Sequence, residues 1–156
     1  MRRCVAKFLS NPPKFTVLTR PILHPLPVMP RVQTDGSFGS MNHRRTSRTA
    51  VLYRDRKGQD TTQCITYFDH RDSTESEWCS ILDGIRYAQK KGDGFIELEN
   101  DCLGVVQCLT REYEPRAGRY IKYFSTIHRE LRNFDYVGLR WIPREMNKAD
   151  DIFKLD

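Results

Sequence analysis

Three short runs of residues between positions 31 and 68 are predicted to be β-strands. Residues 31–36 form the first such run, and residues 41–48 are predicted to be a basic loop after it. Two β-branched and aromatic runs, TAVLYR at 49–54 and TTQCITYF at 61–68, predict the next two strands, with a turn near Gly58 between them. We therefore expect three successive antiparallel strands.

Helical spacing of apolar residues follows these strands. The first apolar stripe predicts a long helix that starts near Ser73 and is ended by Gly92 and Gly94. A short helix is predicted over 103–109, and a second long helix over 119–133. The two long stripes comprise Trp78, Ile81, Leu82, Ile85 and Ala88, and then Ile121, Phe124, Ile127, Leu131 and Phe134. Each long helix should therefore bury one face against a core.

Two further strands are predicted, one before the short helix and one after the second long helix. The run FIELE at 95–99 alternates, so that either its phenylalanine or its two aliphatic residues face the core. A last strand over 137–141 is stopped by Pro143, and a truncated helix is expected from about Asn147. The order β-β-β-α-β-α-α-β-α predicts an α/β domain with a mixed sheet packed by helices.

Charge separates an N-terminal segment from the rest of the chain. Residues 1–34 hold six basic residues and no acid, whereas 20 basic and 20 acidic residues cancel over 35–156. Six prolines precede residue 31, so we expect residues 1–30 to be a basic, proline-rich extension or linker. The same composition is compatible with a mitochondrial presequence. Because the basic excess lies in this segment, the net charge alone does not indicate a nucleic-acid-binding domain.

Cysteine usage and hydropathy predict an intracellular protein. The five cysteines form no CxxC pair and no zinc-ligand spacing, which favours reduced structural thiols. There is no run of eighteen apolar residues, so no membrane association is expected. We expect a cytoplasmic monomer, with mitochondrial targeting by the basic segment as the alternative location.

Four acids stand at the ends of different predicted elements. Asp35 ends the first strand, Glu77 lies in the first turn of the first long helix, Asp101 follows the fourth strand, and Asp150 lies in the last helix. Each has an ordinary explanation when taken alone. These are a turn at Asp35, a capping box of Thr74 with Glu77, a helix cap at Asp101, and a solvated acid at Asp150. A functional interpretation requires a fold that brings all four together.

Four segments of the chain resemble the signature segments of type 1 ribonuclease H. They are TDGS, STESEWCSILDGI, IELENDCLGVV and WIPREMNKADDI, and the last resembles the "VPRE…N…AD" version found in retroelement and stand-alone domains. The likeness covers about residues 31–153. It implies a ribonuclease H-like catalytic domain over 31–156, in which a five-stranded mixed sheet, three antiparallel strands followed by two parallel strands, is flanked by helices.

The resemblance also implies a metal site. Asp35 would bridge two ions, Glu77 and Asp101 would hold the ion on the leaving-group side, and Asp150 would complete the ion that activates water. Counted from the preceding asparagine, Asp151 is the alternative fourth ligand. Two Mg²⁺ ions, with Mn²⁺ as a possible substitute, suit such hard oxygen ligands. Without cations, clustered carboxylates repel one another, which raises some of their pKa values.

The activity that the resemblance implies is endonucleolytic hydrolysis of the RNA strand of RNA–DNA hybrids, leaving 5′-phosphate ends. Gly36, Ser37 and Asn100 are candidate contacts to the sugar–phosphate backbone, and Arg44 and Arg45 are candidate contacts to phosphates. Two alternatives stay open. One is a catalytically weak or inactive nucleic-acid-binding module, and the other is another metal-dependent nuclease of the same fold.

Overall fold

Five strands form one mixed sheet in the computed structural model, which describes residues 29–41, 43–110 and 115–155. The strands are β1 (Arg31–Met41), β2 (Arg44–Arg54), β3 (Asp60–Tyr67), β4 (Phe95–Asn100) and β5 (Tyr136–Trp141). They lie in the order β3-β2-β1-β4-β5. The first three strands pair antiparallel, and β4 runs parallel to both β1 and β5. The predicted mixed sheet is therefore confirmed. The predicted extension, apart from residues 29 and 30, lies outside the described residues.

Over the described residues, three α-helices and two 3₁₀ segments accompany the sheet. They are α1 (Ser73–Lys91), α2 (Leu103–Leu109), α3 (Gly118–Leu131), η1 (Arg144–Met146) and η2 (Lys148–Lys154). The truncated last helix is thus a 3₁₀ segment, and the Asn147 side chain caps it by accepting from the Ala149 amide. Within the described ranges, no helix is both long and apolar enough to cross a membrane.

The first hairpin is longer than the sequence pattern predicts. The expected basic loop over 41–48 is wrong, because β1 continues to Met41 and β2 already begins at Arg44, with His43 in the turn at φ 63°. Ser47 and Thr49 are buried in β2 and use their hydroxyl groups in hydrogen bonds to α1. Small polar residues therefore build part of this strand, and hydrophobic alternation does not detect them.

The core lies between the sheet and the helices α1 and α3. On β4, the two aliphatic residues are buried, whereas Phe95 is 41% exposed, which decides between the two predicted orientations. The predicted α3 stripe is partly wrong, because Ile121 is 50% exposed. Tyr120 and Tyr123 take its place on the buried face. The Tyr123 hydroxyl donates to Glu75 Oε2 at 2.9 Å, so the polar end of a buried tyrosine is satisfied.

The N-terminus of α1 differs from the predicted capping box. Asp72 is the N-cap, and its carboxylate accepts from the Glu75 amide at 2.8 Å. Glu75 in turn accepts from the Arg71 amide, so the cap lies two residues earlier than expected. Glu75 therefore serves the helix end and the contact to α3. Glu77, two residues later, is left facing β1.

Candidate active site

Three carboxylates from three elements converge at one edge of the sheet. Asp35 of β1, Glu77 of α1 and Asp101 after β4 place one oxygen each within 4.8 Å of one another. The parallel pairing of β1 and β4 ends at Thr34 and Asn100. Asp35 follows Thr34 and Asp101 follows Asn100 in the chain, so the pairing brings these two acids close together.

The backbone of α1 approaches β1 closely at this edge. A Cβ atom on Gly36 would lie 2.6 Å from the Ser76 carbonyl carbon and 2.7 Å from the Glu77 amide nitrogen. The Gly36 amide donates to Glu77 Oε1 at 2.7 Å and to Asp35 Oδ1 at 3.0 Å. Gly36 therefore admits the helix and also orients two of the acids, a role that the sequence pattern did not reveal.

Asp150 reaches the same cluster from η2. Together with the three acids it lines a cavity of about 460 Å³, and it is among the groups that raise the pKa of Asp35. The side chain of Asp151 is 62% exposed and lies 3.6 Å from Lys154 Nζ, and Asp151 does not line this cavity. The structure therefore brings four acids together, with Asp150 as the fourth.

Burial and mutual repulsion disfavour the ionised forms of these acids. Burial, followed by the charges of Glu77 and Asp101, raises the pKa of Asp35 to about 9. Burial and the charge of Asp101 raise the pKa of Glu77 to about 7, against the lowering effect of the Gly36 amide. Burial also raises the pKa of Asp101, although Asn147 and Arg144 oppose the shift. Asp35, Glu77 and Asp101 are therefore not all ionised at neutral pH unless cations compensate their charge.

The donor set fits divalent cations of the Mg²⁺ type. Glu77 Oε2 is buried, and no residue within the described ranges donates a hydrogen bond to it. A buried oxygen without a donor is costly, and a bound cation is one partner that would satisfy it. The cluster offers only carboxylate oxygens, which are the ligands that Mg²⁺ and Mn²⁺ take in proteins.

The predicted substrate-binding residues fall into three places. Gly36 and Ser37 line the cavity beside the acids. Asn100 has no exposed surface, and its side chain donates to Thr34 and accepts from the Cys102 amide at 2.8 Å. In this structure the Asn100 side chain therefore holds the ends of β1 and β4 together, and its contact with substrate stays a prediction.

Arg44 and Arg45 lie on the hairpin and do not line the cavity. Arg45 is opposite Ser40 in the β1–β2 ladder, five residues beyond Asp35, or about 17 Å along the strand. The Arg44 guanidinium stacks on Phe68 with its carbon 4.2 Å from the ring centroid. Both side chains are exposed, so they form a basic end of the hairpin at a distance from the acids.

Two polar residues of the WIPREMN segment complete the site. Arg144 lines the cavity, and its charge lowers the pKa of Asp101. Asn147 is buried and donates to the Thr34 carbonyl at 2.9 Å, and its side chain opposes the rise in the pKa of Asp101. Their place within a quoted motif was the only sequence signal for them. Periodicity could not have found either residue, because neither lies in a regular helix or strand.

Solved ribonucleases H share this fold. RNase H1 from the archaeon Halobacterium salinarum NRC-1 matches with a TM-score of 0.71 at 16% identity, over 81% of this chain and 98% of its own. The N-terminal RNase H domain of a Mycobacterium tuberculosis protein matches at 0.65 and 17% identity, over 81% and 94%. LC11-RNase H1, isolated from compost by a metagenomic approach and solved with an RNA/DNA hybrid, matches at 0.67 and 19%, over 78% and 91%.

Sequence comparison identifies the family. A search of curated proteins found no significant match. Residues 33–153, which include all four acids of the cluster, match the family described as reverse transcriptase-like. The chain therefore belongs to the reverse transcriptase-like family of the ribonuclease H-like superfamily.

Proposed function

We propose that this protein is a metal-dependent endoribonuclease that hydrolyses the RNA strand of RNA–DNA hybrids and leaves 5′-phosphate and 3′-hydroxyl ends. The observation that carries the proposal is the convergence of four acids at one cavity, with a buried Glu77 oxygen that lacks a donor within the described residues. A protein of the same fold, LC11-RNase H1, has been solved with an RNA/DNA hybrid, which supports this substrate class.

The four acids would hold two divalent ions. Asp35 would contact both, Glu77 and Asp101 would hold the ion on the leaving-group side, and Asp150 would complete the other. When bound, Mg²⁺ or Mn²⁺ supplies an activated water and stabilises charge on the phosphate and the leaving oxygen. Oxygen ligands on three elements and one 3₁₀ segment would give these cations a fixed frame.

Residues of this chain orient the ligands before a cation arrives. The Gly36 amide donates both to Glu77 and to Asp35. The positive charge of Arg144 favours the ionised form of Asp101, which is the form that binds cations. Preorganised ligands reduce the reorganisation needed during the reaction.

The substrate would approach along the hairpin. Gly36 and Ser37 lie at the cavity, where we expect contact with the sugar–phosphate backbone near the scissile bond. Arg44 and Arg45 stand farther along the same hairpin, where phosphates of a bound duplex would meet them. On this proposal, the two arginines would hold the duplex while the acids act on its RNA strand.

The direct test is Mg²⁺-dependent cleavage of an end-labelled RNA–DNA hybrid by the wild type and by Asp101→Asn, with Asp151→Asn as the matched control. We expect cleavage of the RNA strand by the wild type and the control, and none by Asp101→Asn. A hybrid that stays bound but intact with both Mg²⁺ and Mn²⁺ would instead identify a binding module. Equal cleavage of single-stranded RNA or duplex DNA would identify another nuclease of this fold.

A further inference from the structure

The sheet face opposite α1 carries a buried polar contact that the proposed chemistry does not use. The side chain of Glu99 on β4 is 1% exposed, and Gln33 on β1 is 8% exposed. Gln33 Nε2 donates to Glu99 Oε1 at 2.9 Å. The Arg140 guanidinium contacts the other carboxylate oxygen of Glu99, and Arg31 Nε lies 3.6 Å from the first. The buried charge is thus compensated, and it holds the Gln33 amide in one orientation.

The side-chain amide of Gln33 also hydrogen-bonds the backbone of residues 146–148, which precede Asp150. Gln33 Oε1 accepts from the Lys148 amide at 2.9 Å, and Nε2 also lies 3.4 Å from the Met146 carbonyl oxygen. These two backbone groups flank Asn147, whose own side chain donates to the Thr34 carbonyl. Two consecutive residues of β1 therefore hold residues 146–148, one through its side chain and the other through its backbone.

The segment needs such support because its own structure is weak. It consists of the short 3₁₀ segments η1 and η2, whose hydrogen-bond geometry is poorer than that of an α-helix. Its position must therefore come from tertiary contacts. Gln33 is two residues before Asp35 on the same strand, so one strand carries one acid and also fixes the segment that carries another.

From these contacts we propose that Gln33, oriented by the buried Glu99, is a positioning residue that sets Asp150 against Asp35. We call the contacts of the Gln33 side chain with Met146 and Lys148 the clamp. Its effect on kinetics rests on the proposed function, but whether it holds the segment can be measured without substrate. Gln33 touches no reacting group, so it acts only through Asp150. Loss of the clamp should lower kcat and leave the KM for the hybrid nearly unchanged.

Two matched pairs of variants test the clamp. Gln33→Met keeps the length of the side chain but removes both polar atoms, whereas Arg54→Met alters the same sheet face without touching residues 146–148. Lys148→Pro removes the amide hydrogen that Lys148 donates to Gln33. Proline is tolerated there, because Lys148 is the first residue of η2 and follows an extended Asn147. Lys148→Ala loses the same side chain but keeps that hydrogen, so it is the matched control.

We expect Gln33→Met and Lys148→Pro to lower kcat by about 10- to 100-fold, as loss of ligand support does at metal sites, and the two control variants to stay within about twofold. Combined with Asp150→Asn, the Gln33→Met change should add less than about twofold, because both act through one group. In hydrogen exchange on substrate-free Gln33→Met and Lys148→Pro, the Ala149 and Asp150 amides should exchange about tenfold faster than in the wild type. Exchange in β2 and β3 should be unchanged.

The outcomes separate the clamp from the proposed function. Additive losses in the double variant, or unchanged exchange at Ala149 and Asp150, would overturn the clamp. If the wild type cleaves no hybrid, the proposed function fails, while the exchange measurement still decides whether Gln33 holds the segment. Should Gln33→Met not fold, Lys148→Pro against Lys148→Ala gives the same decision, because β1 is untouched in both.

Discussion

The amide of Gly36 donates to Glu77 Oε1 at 2.7 Å, across the point where β1 and α1 approach most closely. One residue without a side chain thus lets the helix backbone reach the strand and also orients an acid of the candidate site. Asp35 precedes Gly36 directly, so the relative position of two of the four acids is set by this contact. Packing and site geometry depend on the same pair of residues.

Replacing Gly36 by alanine should destabilise the protein by about 2 kcal/mol, because the new Cβ would overlap the α1 backbone, which cannot move without repacking the helix. Urea unfolding measures the effect. Gly39→Ala on the same strand is the control, since no described atom beyond its chain neighbours lies within 4 Å of its Cβ position, and it should change stability by less than about 0.5 kcal/mol. Equal effects at both positions would contradict the close approach.

Asp35→Asn should stabilise the metal-free protein increasingly as the pH rises. The folded-state pKa of Asp35 is raised from 3.8 to about 9, so its contribution to stability is fully present below about pH 4 and is lost as the pH rises toward 9. The gain from Asp35→Asn should therefore be larger at pH 8 than at pH 5, by about 1–3 kcal/mol. Urea unfolding in chelator measures it, with exposed Asp151→Asn expected to show no such trend.

Asp150→Asn should reduce hybrid cleavage by at least about 100-fold, whereas Asp151→Asn should stay within about twofold. Both side chains lie near Lys154, but Asp150 is 25% exposed and lines the cavity with the other acids, whereas Asp151 is 62% exposed and does not line it. Single-turnover cleavage with saturating Mg²⁺ measures both variants. A larger loss in Asp151→Asn would reverse the assignment of the fourth acid.

Arg144→Ala should move the acidic limb of the pH–rate profile to higher pH by about 0.5–1 unit. The charge of Arg144 lowers the pKa of Asp101, so its removal leaves that pKa higher, and a higher pH is then needed to ionise the group. Arg144→Lys keeps the charge and should keep the profile close to that of the wild type. The idea fails if both variants shift the limb equally.

Arg44→Ala and Arg45→Ala should weaken binding of the hybrid and reduce its salt dependence. Each lost phosphate contact lowers the slope of log affinity against log salt by about 0.7–0.9. Fluorescence anisotropy with Ca²⁺ in place of Mg²⁺ measures this on the double variant. Lys90→Ala at the other end of α1 serves as the control. Unchanged slopes would place the duplex away from the hairpin.

Local patterns in the sequence were sufficient to predict most of the fold. The α2 helix was predicted over 103–109 and is found at Leu103–Leu109. The α1 stripe is buried as expected, because the three- and four-residue spacing of Ile81 and Ile85 with their neighbours is itself a property of the helix. The order of the elements and the position of the acids at their ends could likewise be predicted from the sequence. Where burial relies on tyrosine or serine, as on α3 and β2, the hydrophobic pattern failed.

Only the tertiary structure decided how the candidate site is assembled. The sequence left Asp150 and Asp151 as alternatives, because side-chain direction in a 3₁₀ segment depends on the contacts that hold the segment. It also offered Asn100 as a substrate contact and Glu77 as a capping residue, and gave no signal for Gln33. These roles depend on which groups from distant parts of the chain meet in space. Periodicity reports the face that a residue occupies, whereas packing between elements determines what that face touches.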